Sequence, residues 1–187
     1  MDTYFYNELP YIKEKLTQNQ AHFKEVVIQA KTTLLLEGDI ANYLYFINEG
    51  CLRTFFNDEG KDITFQFFFE QQIVCSFESF QSNEASLFTI ETIEDSKVTI
   101  IKKSDFLKVI EESDDLKEHV FQLLSHRFIF YMKLFLSRIK DSPEKRYLEL
   151  KNNHPEILDR VPHHYIASYL GITPVSLSRI RKRILAN

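Results

Sequence analysis

Only two cysteines, Cys51 and Cys75, occur in 187 residues, each inside an apolar, strand-like stretch. Their separation fits neither a disulfide framework nor a zinc-ligand spacing, so they read as buried thiols of a reducing compartment. No run approaches the roughly 18 apolar residues a membrane span needs. The opening MDTYFYNELPYIKEKL lacks the basic-then-apolar order of a secretory leader. Both absences predict a cytoplasmic protein with no membrane partner. There is also no phosphate-cradling glycine loop, no metal-ligand pair at helical spacing and no nucleophile motif, which argues against an enzyme and identifies no cofactor or metal. Internal repeats and low-complexity segments are missing too.

Two further absences concern charge. Lys and Arg do not occur from Ile73 to Ile90, and acids do not occur from Gly171 to the end. The modest net charge of −4 conceals this segregation: residues 1–126 carry 11 Lys and Arg against 22 Asp and Glu, while residues 127–187 carry 12 against 5. An acidic body with a basic tail points to an anionic partner for the tail, although a solvated charged face gives the same count.

What is present divides into three regimes. Residues 2–24 show helical spacing, with Phe5, Leu9, Ile12 and Leu16 at steps of three and four and Pro10 limiting the helix. From Val26 to Lys103 short β-rich runs alternate with turns: Thr32–Leu36, Tyr43–Asn48, Leu52–Phe56, Ile63–Phe69, Leu87–Ile93 and Lys97–Lys102. This spacing predicts an antiparallel sandwich or barrel, with hairpin turns at Asn48-Glu49-Gly50 and Asn57-Asp58-Glu59-Gly60. A helical regime then resumes, capped by Ser104 or Asp105 and again by Ser113 or Asp114. The helix from Asp114 to about Lys140 has two apolar faces. Phe121, Leu124, Phe128, Tyr131 and Phe135 form a coiled-coil-like seam suited to a dimer interface, while Leu116, Val120, Leu123, Met132, Leu136 and Ile139 form the other. A core helix of a monomer is the competing explanation. Asp141-Ser142-Pro143 then reads as a hinge.

The segment HHYIASYLGITPVSLSRIRKRIL, His163 to Leu185, carries the clearest signal. Ile166, Ala167 and Leu170 make one face of a first helix, Gly171 permits the turn, and Thr173 followed by Pro174 starts a second. Leu177 and Ile180 form the inner face of that second helix. Ala167 is small where two helices cross, as a helix-turn-helix requires. The outer face holds Val175, Ser176, Ser178, Arg179, Lys182 and Arg183. A short basic helix of this kind fits the DNA major groove, with Val175, Ser176 and Arg179 as base readers. Ser178, Arg181, Lys182 and Arg183 are phosphate contacts, and Thr173 belongs to the same surface. His163 and His164 lack further metal ligands and read as surface residues.

The order of these parts resembles the cyclic-AMP receptor protein and Fnr (Crp/Fnr) family of transcriptional regulators. The resemblance covers about residues 20–187. It rests on KTTLLLEGDIANYLYFINEGCLRTFFNDEGKDITFQF, Lys31 to Phe67, and on the helix-turn-helix, with Gly38, Gly50, Gly60 and Gly171 where the family uses glycine. It implies an α+β protein: an N-terminal antiparallel β-roll of the cyclic-nucleotide-binding jelly-roll type with flanking helices (1–113), a long dimerisation helix (114–140) and an all-α helix-turn-helix domain (141–187). It further implies a homodimer on double-stranded DNA, with RNA polymerase and a small-molecule effector as additional partners. Half-sites on the DNA are expected about one helical turn apart.

Departures from the family pattern matter as much. Where cyclic-nucleotide-binding members supply a ribose-binding glutamate and a phosphate-binding arginine, this sequence has Ser76 and Ser86. A buried phosphate without a cation is hard to stabilise, so cyclic AMP is not the expected effector. Iron–sulfur ligation needs clustered cysteines, and haem would find His22 as the only histidine before position 119. Phe65, Phe67, Cys75, Ser76, Phe77 and Ser86 are the candidate effector-pocket residues; Phe68, Phe69 and Phe80 extend the aromatic cluster, and such aromatics in a β-domain more often form its core. At base-reading positions Pro174 and Val175 replace the arginine and glutamate of the cyclic-AMP receptor, implying a different operator. The sequence ends at Asn187, which gives the expectation of a module without a C-terminal wing. The competing function is a ligand-sensing or protein-interaction module whose basic tail binds another protein.

Overall fold

A computed structural model describes residues 9–18 and 23–185; Phe5 and His22 lie outside that set. Helix α1 (Leu9–Gln18) tolerates Pro10 in its first turn, where a missing amide loses no helical hydrogen bond. It buries Ile12 and Leu16 completely. Eight strands follow: β1 (Phe23–Ile28), β2 (Thr33–Leu35), β3 (Tyr43–Glu49), β4 (Leu52–Asp58), β5 (Lys61–Phe68), β6 (Ile73–Val74), β7 (Thr89–Thr92) and β8 (Ser96–Lys102). A short helix α2 (Phe77–Ser82) lies between β6 and β7. The strands build two antiparallel four-stranded sheets, ordered β1-β8-β3-β6 and β2-β7-β4-β5. The result is a jelly roll. The helical expectation up to residue 24 fails at Phe23, because β1 finds its partner in β8 at the far end of the roll.

Two local features shape the roll. Gly50, between β3 and β4, has φ +109° and packs so closely that a Cβ there would lie 2.2 Å from Ser96 Oγ. Along the β4–β5 hairpin, Thr54 pairs with Gln66 but Phe55 pairs with Thr64, leaving Phe65 as an extra, bulged residue. A bulge interrupts the two-residue alternation of faces, so side chains two apart across it point to opposite sides.

Helix α3 (Lys103–Glu112) begins one residue before Ser104 and has no side-chain cap. Helix α4 (Asp114–Lys140) is capped by Ser113, whose Oγ accepts from the Leu116 amide at 3.3 Å. Its N-terminal half buries Leu116 and Leu123 against the roll. Its C-terminal half leaves Met132, Leu136 and Ile139 exposed alongside Phe128 and Phe135. The second apolar face is thus covered over only half its length. Ser142 then caps α5 (Pro143–Asn153) by accepting from the Lys145 amide at 3.3 Å. Helices α6 (Pro155–Arg160), α7 (His163–Tyr169) and α8 (Pro174–Leu185) complete the chain. Among the described residues no helix is long and apolar enough to cross a membrane.

The core has two parts. One fills the roll and extends to α1, α3 and α4. The other joins the outside of the β-roll to the C-terminal helices: Cys51, Phe67, Phe69 and Ile93 pack with Tyr147, Ile157, Ile166 and Leu170. The helical module is therefore seated on the roll.

Candidate nucleic-acid interface and sensor cavity

Helices α7 and α8 form a helix-turn-helix whose inner residues Ile166, Ala167, Leu170, Leu177 and Ile180 are buried. Gly171 makes the turn at φ +66°, a left-handed conformation that costs glycine little. Thr173 Oγ1 accepts from the Ser176 amide at 3.1 Å and lies 3.0 Å from the Ser176 hydroxyl, so both side chains are engaged at the start of α8. Val175, Ser178, Arg179, Lys182 and Arg183 are exposed, and Arg181 is half-buried. Arg183 pairs with Glu144 of α5 at 2.7 Å, and Arg181 bonds the exposed His163. Arg179 and Lys182 have no hydrogen bond or ion pair among the described residues. The helix thus presents two unengaged cations flanked by two arginines held at its edges. Arg138 in the last turn of α4 and Arg146 of α5 hold this module by donating to the carbonyls of Tyr169 and Leu170, each at 2.8 Å.

The seat of the module on the roll was not anticipated from the sequence. Arg53 of β4 is buried; it donates to Glu91 and Asp62 at 2.9 Å each and to Thr64 Oγ1 at 3.3 Å. Its guanidinium is sandwiched between Phe55 and Tyr165, 3.8 Å from each ring centroid. Ser168 of α7 accepts from the Thr64 amide and donates to the Asp62 carbonyl, both at 2.9 Å. A second clamp joins Arg160 of α6 to Glu70 at 2.7 and 2.9 Å and to Glu94. The bidentate hydrogen bond from Arg160 holds the Glu70 carboxyl at about 2, well below the usual carboxylate range. The one signal in the sequence was an arginine at the centre of an apolar strand, LRTFF, where a buried charge requires partners.

On its opposite face the β4–β5 hairpin borders a cavity of about 550 Å³, open to solvent at one side, of which α4 forms a wall. Of the sequence candidates, Phe65, Cys75 and Phe77 line it. Phe67 faces the other way and packs near Tyr169, ring centroids 5.3 Å apart. Strict alternation would put Phe65 and Phe67 on one face; the bulge at Phe65 separates them. Ser76 and Ser86 are buried but bond each other, Oγ to Oγ at 2.9 Å, and Ser86 also donates to the Phe88 carbonyl at 2.8 Å. Burial pushes the Cys75 thiol up to about 11. Of the seam residues, Leu124, Phe128 and Tyr131 border the cavity mouth, while Phe121 and Phe135 lie beyond it and are exposed. Among the described residues no group of three or more His, Cys, Asp or Glu could hold a metal ion.

Residues 25–113, the roll with α3, match the family model of the cyclic nucleotide-binding domain. The match makes this stretch, a little under half of the chain, similar to a cyclic nucleotide-binding domain. No curated protein matches the sequence significantly. Three solved structures of regulators share the fold over most of the chain. FixK2 from Bradyrhizobium japonicum superposes with a TM-score of 0.74 at 16% identity, over 88% of this chain and 85% of that one. A Crp/Fnr-family regulator from Eubacterium rectale gives 0.72 at 20% identity, over 94% and 83%. The c-di-GMP-responsive global regulator CLP from Xanthomonas campestris gives 0.66 at 15% identity, over 95% and 92%. At the two positions where the sequence resemblance expects a glutamate and an arginine stand Ser76 and Ser86, whose hydroxyls bond each other.

Proposed function

We propose that this protein is a sequence-specific DNA-binding transcription regulator of the Crp/Fnr type, acting as a homodimer through α4. The outer face of α8 carries the reading: it is exposed, free of acids and offers Arg179 and Lys182 without competing partners. Its ~18 Å length suits the major groove. Arg179 reads guanine by a two-pronged contact, and Lys182, with Arg181 and Arg183 once released from His163 and Glu144, meets phosphates. Exposed Phe121, Phe128 and Phe135 make the apolar stripe that a second copy covers, since so many aromatic side chains on one helix are costly to leave in water.

Ser76 and Ser86 support an effector other than cyclic AMP, because no cation replaces the missing arginine between Ile73 and Ile90. The β4–β5 hairpin supplies the relay. Thr54, Phe65 and Phe68 touch the cavity, while Arg53, Thr64 and Phe67 touch the helix-turn-helix. Any change in the cavity therefore alters the seat of the DNA module, biasing its position by differential contacts. Selection of bound sequences from a random DNA library tests the reading. It should return inverted half-sites about one helical turn apart. Recovery of no enriched sequence at low salt, with capture of the protein through its basic tail by another protein, supports the interaction-module reading instead.

A further inference from the structure

We propose that the cavity between the β4–β5 hairpin and α4 is a binding site for an uncharged, largely apolar aromatic molecule. The name effector rests on the regulator reading above, but the binding site stands on its own geometry. Ligand clefts typically span about 300–1,000 Å³, and this cleft of about 550 Å³ has room for a small molecule. The floor is apolar, with Ile12 and Leu44 buried beneath it. The walls are aromatic. Phe65 and Phe88 meet edge to face at 5.1 Å, and Phe80 and Phe106 at 6.0 Å, a geometry that a further aromatic ring extends favourably.

The polar groups exclude a phosphate ligand. Among the lining residues the charged ones are Glu78 and Arg127. Glu78 opposes an anion. Arg127 donates to the Ile73 carbonyl and lies 5.5 Å from the Phe68 ring centroid, so its guanidinium is committed to holding α4 on the roll. The remaining polar atoms are neutral: Thr54 Oγ1, Cys75 Sγ and the Tyr131 hydroxyl, which donates to Gln66 Oε1 at 2.6 Å. Moving a phosphate from water into such surroundings is costly, whereas an uncharged ring system gains from leaving it.

The chain contains no tryptophan, which makes a specific test available. Phe77 lies exposed at the cavity edge, so Phe77→Trp places a single fluorescent donor there. Titration of that variant, without DNA, with the neutral naphthalene dye prodan should give saturable energy transfer at one dye per chain. Millimolar cyclic AMP should not displace it. In the same background Cys75→Trp fills the cavity and should weaken dye binding at least tenfold, measured by the dye's own emission. Phe135→Ser, on the seam outside the cavity, should leave binding within twofold. If Cys75→Trp fails to fold by circular dichroism, protection of Cys75 from iodoacetamide by prodan replaces it, with a fivefold slowing expected. The proposal is overturned if cyclic AMP displaces the dye. It is equally overturned if Phe135→Ser abolishes binding, or if neither the plug nor the alkylation rate responds, since the dye then reads the seam or nothing. Loss of DNA binding with prodan binding intact counts against the regulator reading alone.

Discussion

Replacing Arg53 with methionine keeps most of the side chain's length and its apolar stem while deleting the guanidinium. That group donates to Glu91, Asp62 and Thr64 and is stacked between Phe55 and Tyr165. Removing one partner of a buried ion pair costs about 3–5 kcal/mol when the remaining charge stays dry. The Asp62 side chain is 41% exposed and regains water, whereas that of Glu91 is only 15% exposed and stays largely unpaired. The lower end of the range therefore applies, about 3 kcal/mol. With a urea dependence of about 2 kcal/mol per molar, the unfolding midpoint falls by about 1.5 M. Arg53→Lys should recover little, because an ammonium neither forks between two carboxylates nor stacks as a plane. Limited proteolysis adds a spatial readout: loss of the Tyr165 stack frees the helical module, so cleavage near Asp141–Pro143 should accelerate in both variants. A midpoint shift below about 0.3 M, less than ~0.6 kcal/mol at that slope, would refute the reasoning.

The Arg160 clamp makes stability depend on acid. Glu70 titrates near 2 in the folded protein against an ordinary 4.5, so its contribution is present above 4.5 and lost as pH falls through 2. The melting-temperature advantage of wild type over Arg160→Met should shrink steadily across that window, by only part of the full effect because the Glu70 side chain is 37% exposed; an advantage unchanged at pH 2 contradicts the clamp. Gly50→Ala combines a left-handed backbone with a Cβ 2.2 Å from Ser96 Oγ, and should cost at least ~2 kcal/mol in thermal or chemical unfolding. Phe121→Ser with Phe128→Ser removes two rings from the exposed α4 stripe without touching the helix-turn-helix, and should shift sedimentation from dimer to monomer. Retention of a dimer would place the interface elsewhere.

Legibility in the sequence followed the range of the interactions. The helix-turn-helix was readable because its determinants are local: Gly171 supplies the turn, Thr173 caps within three residues, and Ile166, Leu170, Leu177 and Ile180 keep helical spacing. Ser113 was readable as one of two candidate caps for the same reason, whereas Ser142 was read only as part of a hinge and its cap was missed. Strand β1 was not, since its identity comes from pairing with β8 across the whole roll. Phe65 and Phe67 share a face by alternation, and only the pairing of β4 with β5 reveals the bulge that parts them. Arg53 was invisible as a junction because its meaning depends on Tyr165 and Ser168, more than a hundred residues later. Likewise, the α4 periodicity announced two apolar faces but not where the roll ends and the bare stripe begins.

Fluorescence anisotropy on a selected site tests α8 as a DNA reader most directly, with wild type and Arg179→Ala compared across a salt series. Wild-type affinity should fall steeply and linearly in log–log form with added salt, as expected when several phosphates are neutralised. Arg179→Ala should lose about 1–3 kcal/mol on the selected site and much less on random DNA, because a base contact carries sequence information that a phosphate contact does not. Equal loss on both DNAs, or binding indifferent to salt, would contradict the assignment of Arg179 and of the helix that carries it.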